Sequence, residues 1–397
     1  MESRRPSLSF FIILGMMAML PPLAIDMYLP SFLDIARDLA VSQEKVQTTL
    51  AVFTLGFGAG QLFWGPMADS FGRKIIILIG LVGSAIAAYF LTQVQNIETF
   101  YLLRLVQGLC AAAPAVVLGA LVRDLFERNL FAKLMSVIMI ISMLAPLLAP
   151  LLAPIVGGYI AKYFHWHSIF YVLVAMGILC VVLISWKIPE TLAPEKRLPL
   201  SFGKTLSNFA ILLKHKPTLG YVLIGGLTFA GIFCFLTSGS IVYIGLYGVS
   251  QENFGYFFGL NMIVMVTMTA INSKMVVKVG SETMLRIALA MQLLAGIWLA
   301  LVAIFDLGFW AMAIGIPLYI GMLSTIGSNA SAAILEQFPQ MAGTANGVAG
   351  TARFGVASLV GAGLSHIAVT SAAPMLLAMA LCVMLAGVVY YFLCYKR

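Results

Sequence analysis

The chain has 397 residues, of which 61% are hydrophobic and only 10% charged, and its formal net charge is +8. A soluble domain is about 45–50% apolar and about 25% charged, so the few charged residues here cannot cover the surface of one. The composition excludes a water-soluble globular protein and points to a polytopic membrane protein.

Crossing the hydrocarbon core takes roughly 20 apolar residues in a helix. Twelve runs reach that length: 9–30, 46–66, 75–93, 99–121, 134–160, 167–187, 218–243, 254–272, 284–304, 308–332, 343–365 and 374–394. They are long and continuous, whereas barrel strands are short and alternating, so the prediction is all-α. The first run has no small-residue cleavage site after it and reads as a retained span.

Span 1 holds an acid, Asp26, in P-P-L-A-I-D-M-Y-L-P. A charge at mid-membrane costs about 2.5–3.5 kcal/mol even on lenient scales. Span 4 holds Arg104. Each lies five residues from the same membrane edge, about 7.5 Å deep, so the two are expected to face a shared interior and influence each other. Several readings of Asp26 stay open: a structural ion pair, an acid near enough to the interface to be wetted, or a carboxylate that takes up and releases a proton. Arg104 cannot lose its proton and can only tune or anchor.

Span 2 contains G-F-G-A-G at 56–60, which reads as close helix packing rather than a nucleotide site. Between spans 2 and 3 runs G-P-M-A-D-S-F-G-R-K, with Gly65, Asp69, Gly72 and Arg73. Glycine permits a tight turn. Asp69 is expected to accept hydrogen bonds from an exposed helix N-terminus, and the basic pair to hold nearby acids such as Asp124. Span 5 carries A-P-L-L-A-P-L-L-A-P-I-V-G-G, with Pro146, Pro150 and Pro154 at a spacing of four, then Gly157 and Gly158. Prolines there free backbone carbonyls, tolerable in a membrane only against protein or a wet cavity. The expectation is either a bend that packs on the facing bundle and helps seal the outer side, or a kink tolerated because it is buried.

The longest loop, 188–217, divides the spans six and six. The domains are therefore 1–187, a linker at 188–217, and 218–397. Its G-K-T at 203–205 lacks the glycine a phosphate loop needs, since position 198 is Leu. Of 23 Lys and Arg, 18 fall on the side of the N-terminus, 3 on the other, and Arg104 and Arg353 lie inside spans. That bias puts both termini in the cytoplasm and makes the net charge a topology signal, not a sign of nucleic-acid binding. Arg353 is expected to face water, bind backbone carbonyls or attract an anionic substrate. The five cysteines sit in apolar spans with no C-x-x-C, and no disulfide framework or metal site is expected. Candidate substrate contacts are Tyr28, Gln107, Met143, Phe229, Phe233, Asn261 and Arg353.

The 65–74 loop is similar to the loop signature of the major facilitator superfamily. R-L-V-Q-G-L-C-A-A at 104–112 resembles its proton-linked motif, and A-P-I-V-G-G at 153–158 its antiporter motif. The strings I-D-M-Y-L-P at 25–30, P-E-T-L at 189–192, E-N-F-G-Y at 252–256 and M-A-G-T-A at 341–345 resemble the bicyclomycin and chloramphenicol resistance group of drug/proton antiporters. The resemblance implies twelve helices in two six-helix bundles and export of varied antibiotics driven by inward proton flow. It places Asp26 at the membrane acid and Arg104 at the motif arginine. It also implies the bacterial inner membrane, drugs, protons and lipid as partners, a monomer, and no cofactor beyond the proton gradient. Two departures stand out. With Gly72 matched to Gly280, the second half has Val277 and Ser281 where the first has Asp69 and Arg73. Span 5 carries an added A-P-L-L unit. A proton-coupled exporter or symporter of a small metabolite such as an amino acid is the alternative. An enzyme is not expected, because no nucleophile, metal cluster or acid–base pair accompanies the buried acid.

Overall fold

The computed structural model describes residues 8–125, 149–197 and 199–395. Among them every regular element is helical. We label the helices α1 (Leu8–Asp26), α2 (Phe32–Asp38), α3 (Gln43–Phe71), α4 (Arg73–Leu91), α5 (Ile97–Leu125), α6 (149–163) and α7 (His167–Lys187). After the connector come α8 (Phe202–Lys214), α9 (Lys216–Ser240), α10 (Gln251–Val279), α11 (Ser281–Phe305), α12 (Gly308–Gly321), α13 (Leu323–Gln337), α14 (Ala342–Leu364) and α15 (Ala373–Val389). Ten helical segments are long and apolar enough to cross a membrane. The other two predicted spans correspond to α3, which carries more Gln, Thr and Gly, and to α6, described only from residue 149.

Several boundaries differ from the sequence reading. Span 1 stops being α-helical at Asp26, passes through a 3-10 turn at Leu29–Ser31, and resumes as α2. Span 7 ends in a π-helical turn at Ile241–Leu246, and span 10 is broken at Met322. The connector contains α8, which the sequence reading left as loop. Its apolar residues are spaced to cover a neighbour with one face, and Phe209 packs near Gly347 of α14.

Helices α1, α3, α4, α5 and α7 pack among themselves, and so do α9 to α15. The two groups meet along α3–α14 and along α6–α10. Both halves turn the chain the same way. The 29-residue α3 ends at Gly72 with φ 111°, and the 29-residue α10 ends at Gly280 with φ 85°. A side chain is strained at such angles, which explains why glycine survives at both turns while the residues around them have diverged.

Small residues set the helix separation. A Cβ at Gly56 would clash with the Leu105 carbonyl oxygen, and one at Gly108 with that of Phe53. The backbones of α3 and α5 thus touch directly. Overpacking costs about 1–3 kcal/mol. Gly108→Leu is expected to lower the thermal transition of the detergent-solubilised protein measurably. Leu102→Ala, at a position 62% exposed on the same helix, should leave it near wild type.

Candidate functional site

Arg104 is fully buried on α5. Its Nη1 donates to the Ala24 carbonyl at 3.0 Å and to Gln107 Oε1 at 2.7 Å. The guanidinium lies 4.3 Å from the centroids of both Tyr28 and Phe53, a cation–π arrangement that strengthens when dry. Nε and Nη2 have no hydrogen-bond partner among the described residues. The Thr49 hydroxyl donates to the Val46 carbonyl, so Tyr28 is left to donate to Thr49 at 3.1 Å.

Asp26 is buried at the end of α1, two residues past Ala24. It carries no hydrogen bond or ion pair among the described residues. The sequence expectation of a shared interior holds in placement, but the two charges do not pair. Arg104 takes the carbonyl of Ala24 and the amide of Gln107 instead. The ion-pair reading of Asp26 is therefore not realised in this conformation.

A cavity of about 870 Å³ opens between the halves on the face where α3 hands over to α4. Gln61, Gly65, Asp69 and Arg73 line it from the first half, Thr344, Asn346 and Gly347 from α14, and Asn208 and Phe209 from α8. One helical turn from Gln61 along α3, Phe57 belongs to an aromatic cluster between the halves, in which the Phe354 ring lies 4.5 Å from Phe57, 5.1 Å from Phe229 and 6.4 Å from Phe233.

Beyond that cluster the halves are closed on each other. Gln47 donates to Ser238 at 3.3 Å, Thr48 and Ser365 share a hydrogen bond of 2.9 Å, and Ser358 donates to the Ala51 carbonyl at 2.8 Å. At the far rim Lys162 meets Glu252 at 2.6 Å, Gln251 donates to Asp34 at 2.6 Å, and Tyr159 and Tyr256 are 3.1 Å apart. Of the α6 glycines, Gly158 sits in this seam, where a Cβ would lie 2.5 Å from the Gln251 carbonyl oxygen, while Gly157 packs within the first half, where a Cβ would clash with the Met27 carbonyl. Pro150 and Pro154 lie within α6, which is continuously helical over 149–163.

The other predicted residues scatter. Arg353 donates from Nη2 to the Gly327 carbonyl and Ser331 Oγ, each at 3.2 Å, so the backbone-carbonyl option is the one found. Asn261 is buried with its Nδ2 unpartnered. Tyr28 and Gln107 belong to the Arg104 cluster, not to the cavity wall. Met143 and Pro146 lie outside the described residues.

Arg73 is buried and holds both Asp69 and Asp124, the latter at 3.1 Å. In this conformation Asp69 is engaged by Arg73 rather than by the N–H groups of a helix N-terminus. Glu190 does that work for α4. Its carboxylate accepts from the backbone N–H of Arg73 at 2.9 Å and Lys74 at 3.1 Å, and from Thr191 and Leu192. Glu190 was quoted within P-E-T-L but given no role. The polar cavity wall of Gln61, Asn208 and Asn346 was also missed, although a glutamine within span 2 was a legible signal. The expectation of no metal site meets a cluster of Asp38, His165 and His167 on the far face.

A membrane-spanning helical protein with two packed halves, a cavity open to one face and a seam closed on the other has the build of a transporter rather than an enzyme. The Major Facilitator Superfamily model matches residues 7–362, and the chain belongs to that superfamily. It is 50% identical over 393 residues to a bicyclomycin resistance protein homolog of Haemophilus influenzae, covering 99% of this chain and 98% of the relative. It is 27% identical over 345 residues to a chloramphenicol resistance protein of Pseudomonas aeruginosa, covering 85% and 79%. In fold it is similar to a D-xylose–proton symporter, with a TM-score of 0.76 at 16% identity and 97% of each chain covered.

A capping side chain is worth about 0.5–2 kcal/mol, and the exposed setting of Glu190 favours the lower end. Glu190→Ala is expected to lower thermal stability modestly. It should also speed proteolysis of the 193–201 connector relative to wild type, whereas Glu195→Ala should change neither.

Proposed function

We propose that the protein is a proton-coupled multidrug exporter of the bacterial inner membrane, carrying antibiotics of the bicyclomycin, sulfonamide or chloramphenicol type outward by alternating access. The observation that carries this reading is a buried carboxylate without a partner beside a buried arginine, between a cavity open to one face and a seam closed on the other. The charge bias supports reading the open face as cytoplasmic, with both termini there. The near-full-length similarity to a bicyclomycin resistance protein homolog supports the substrate class.

The units that move are residues 1–187 and 218–397, joined by the linker 188–217. In the conformation described, drug enters from the cytoplasm and reaches the aromatic cluster of Phe57, Phe229, Phe233 and Phe354. Arg353, next to Phe354 on α14, borders that cluster. Asp26 carries the proton. Ionised and unpaired at this depth it costs several kcal/mol, whereas the protonated acid is neutral. Arg104 is held near Asp26 through Tyr28 and Ala24, so a shift of α1 couples the two charges. Opening the far side separates Gly158 from Gln251 and Lys162 from Glu252, and lets Asp26 exchange with the outer medium.

Closing the cytoplasmic side brings Asp69 towards the N-terminus of α14, which lies across the cavity. The exposed N–H groups and dipole there favour a carboxylate. The second half has Val277 at the matching position, so the latch is one-sided. No cofactor beyond the proton gradient is invoked, the working unit is a monomer in lipid, and nucleic acid has no part. Export of a small metabolite by the same cycle is the second reading, supported by the uncharged polar wall of Gln61, Asn208 and Asn346.

Proteoliposomes loaded with a pH-sensitive dye test the proposal. Under an imposed proton gradient, bicyclomycin or chloramphenicol is expected to drive proton movement in wild type and to drive none in Asp26→Asn. Equal signals in both would remove Asp26 from coupling. A wild type silent with antibiotics but active with amino acids would favour the metabolite reading. Cross-linking Lys162→Cys to Glu252→Cys should abolish transport, with recovery on reduction.

A further inference from the structure

Outside the transport path the fold assembles a cluster of metal-ligand type. Asp38 ends α2, and His165 and His167 flank Trp166 in the turn between α6 and α7. One ligand atom from each of the three lies within 4.8 Å of the others. The two histidine Nδ1 atoms are 2.5 Å apart and the rings stack with centroids 4.6 Å apart. Two imidazole nitrogens pointing lone pairs at each other repel unless they share a proton or a cation. Trp166 fixes the arrangement. Its indole is buried against Phe100 and Phe170, and its Nε1–H donates to Asp38 Oδ2 at 3.1 Å. That bond orients the carboxylate, whose Oδ2 also lies 3.9 Å from His165 Nε2.

We propose that Asp38, His165 and His167 form a binding site for a borderline divalent transition metal of the zinc type on the far face of the protein. Two imidazoles and one carboxylate suit such an ion and are a poor set for calcium or magnesium, which take oxygen ligands. Zn–N bonds of about 2.0–2.1 Å in a tetrahedron put ligand atoms about 3.3 Å apart, so the site closes by small rotations of exposed side chains. Three protein ligands leave a position for water. The site begins one turn beyond Lys162, which reaches Glu252 in the other half. A bound ion would therefore stiffen the α6–α7 turn beside the seam, whatever substrate the protein carries.

Titration calorimetry of the full chain in detergent tests this, using zinc chloride, a non-chelating buffer and no polyhistidine tag. Wild type is expected to bind one zinc ion. The double variant His165→Gln/His167→Gln should lose at least about tenfold in affinity and Asp38→Asn roughly tenfold, while magnesium gives no heat with any of them. Cobalt absorption gives a second readout, with ligand-field bands in wild type that fade in Asp38→Asn even if the double variant folds poorly. Absence of zinc binding to wild type overturns the proposal. So does equal affinity in wild type and the double variant, which would move the ion to His215 or His366.

Discussion

The structure turns on a guanidinium that pairs with no acid among the described residues. Arg104 is buried in the first half, clasped between the faces of Tyr28 and Phe53 and bonded to a backbone carbonyl and an amide. Two of its nitrogens remain unpartnered. Breaking such a buried polar group from its partners is expensive, and a half-satisfied network is less stable than a complete one. Helices α1, α3 and α5 are therefore held together by an arrangement with spare bonding capacity. Asp26 sits two residues from the carbonyl that Arg104 uses. A small movement of α1 changes both what Arg104 touches and what Asp26 faces, and this is how we read the link between a local proton and a global rearrangement.

The two halves share a plan but not its chemistry. Gly72 and Gly280 make the same turn after helices of equal length. Around Gly72 stand Arg73, Asp69, Asp124 and Glu190, joined by hydrogen bonds and ion pairs. Around Gly280 the matching positions are Val277 and Ser281, and Arg286 pairs instead with Glu282 within its own helix. The first half carries the buried Asp26 and Arg104 and the Asp69, Arg73 and Asp124 cluster, to which we assign the proton site and the latch. The second contributes aromatics and Arg353, whose partners are a carbonyl and a hydroxyl. Coupling and substrate contact are thus divided between the halves in our reading.

Much of this was legible in the chain. Apolar length set the helices, and charge cost singled out Asp26 and Arg104 at matched depth. The glycines of span 2 and span 5 announced close backbone contact. What escaped depends on contacts between distant segments. Glu190 reaches α4 from more than a hundred positions away, and nothing local marks it as a cap. Asp38, His165 and His167 meet only because α2 and the α6–α7 turn end on the same face. Helix rotation decides whether Asn261 or Gln61 faces a cavity, and the apolar pattern of a membrane helix leaves rotation weakly marked. The end of α1 at Asp26 and the helix α8 in the connector follow from packing in the same way.

On this reading Asp26 exchanges its proton as substrate binds. The most direct test needs no gradient: drug is added to purified protein in weakly buffered detergent, and released protons are counted with an indicator while binding is followed by calorimetry. Release approaching one proton per bound drug is expected in wild type, with binding but no release in Asp26→Asn. Drug binding to wild type with no proton released, or the same release from the variant, would contradict it.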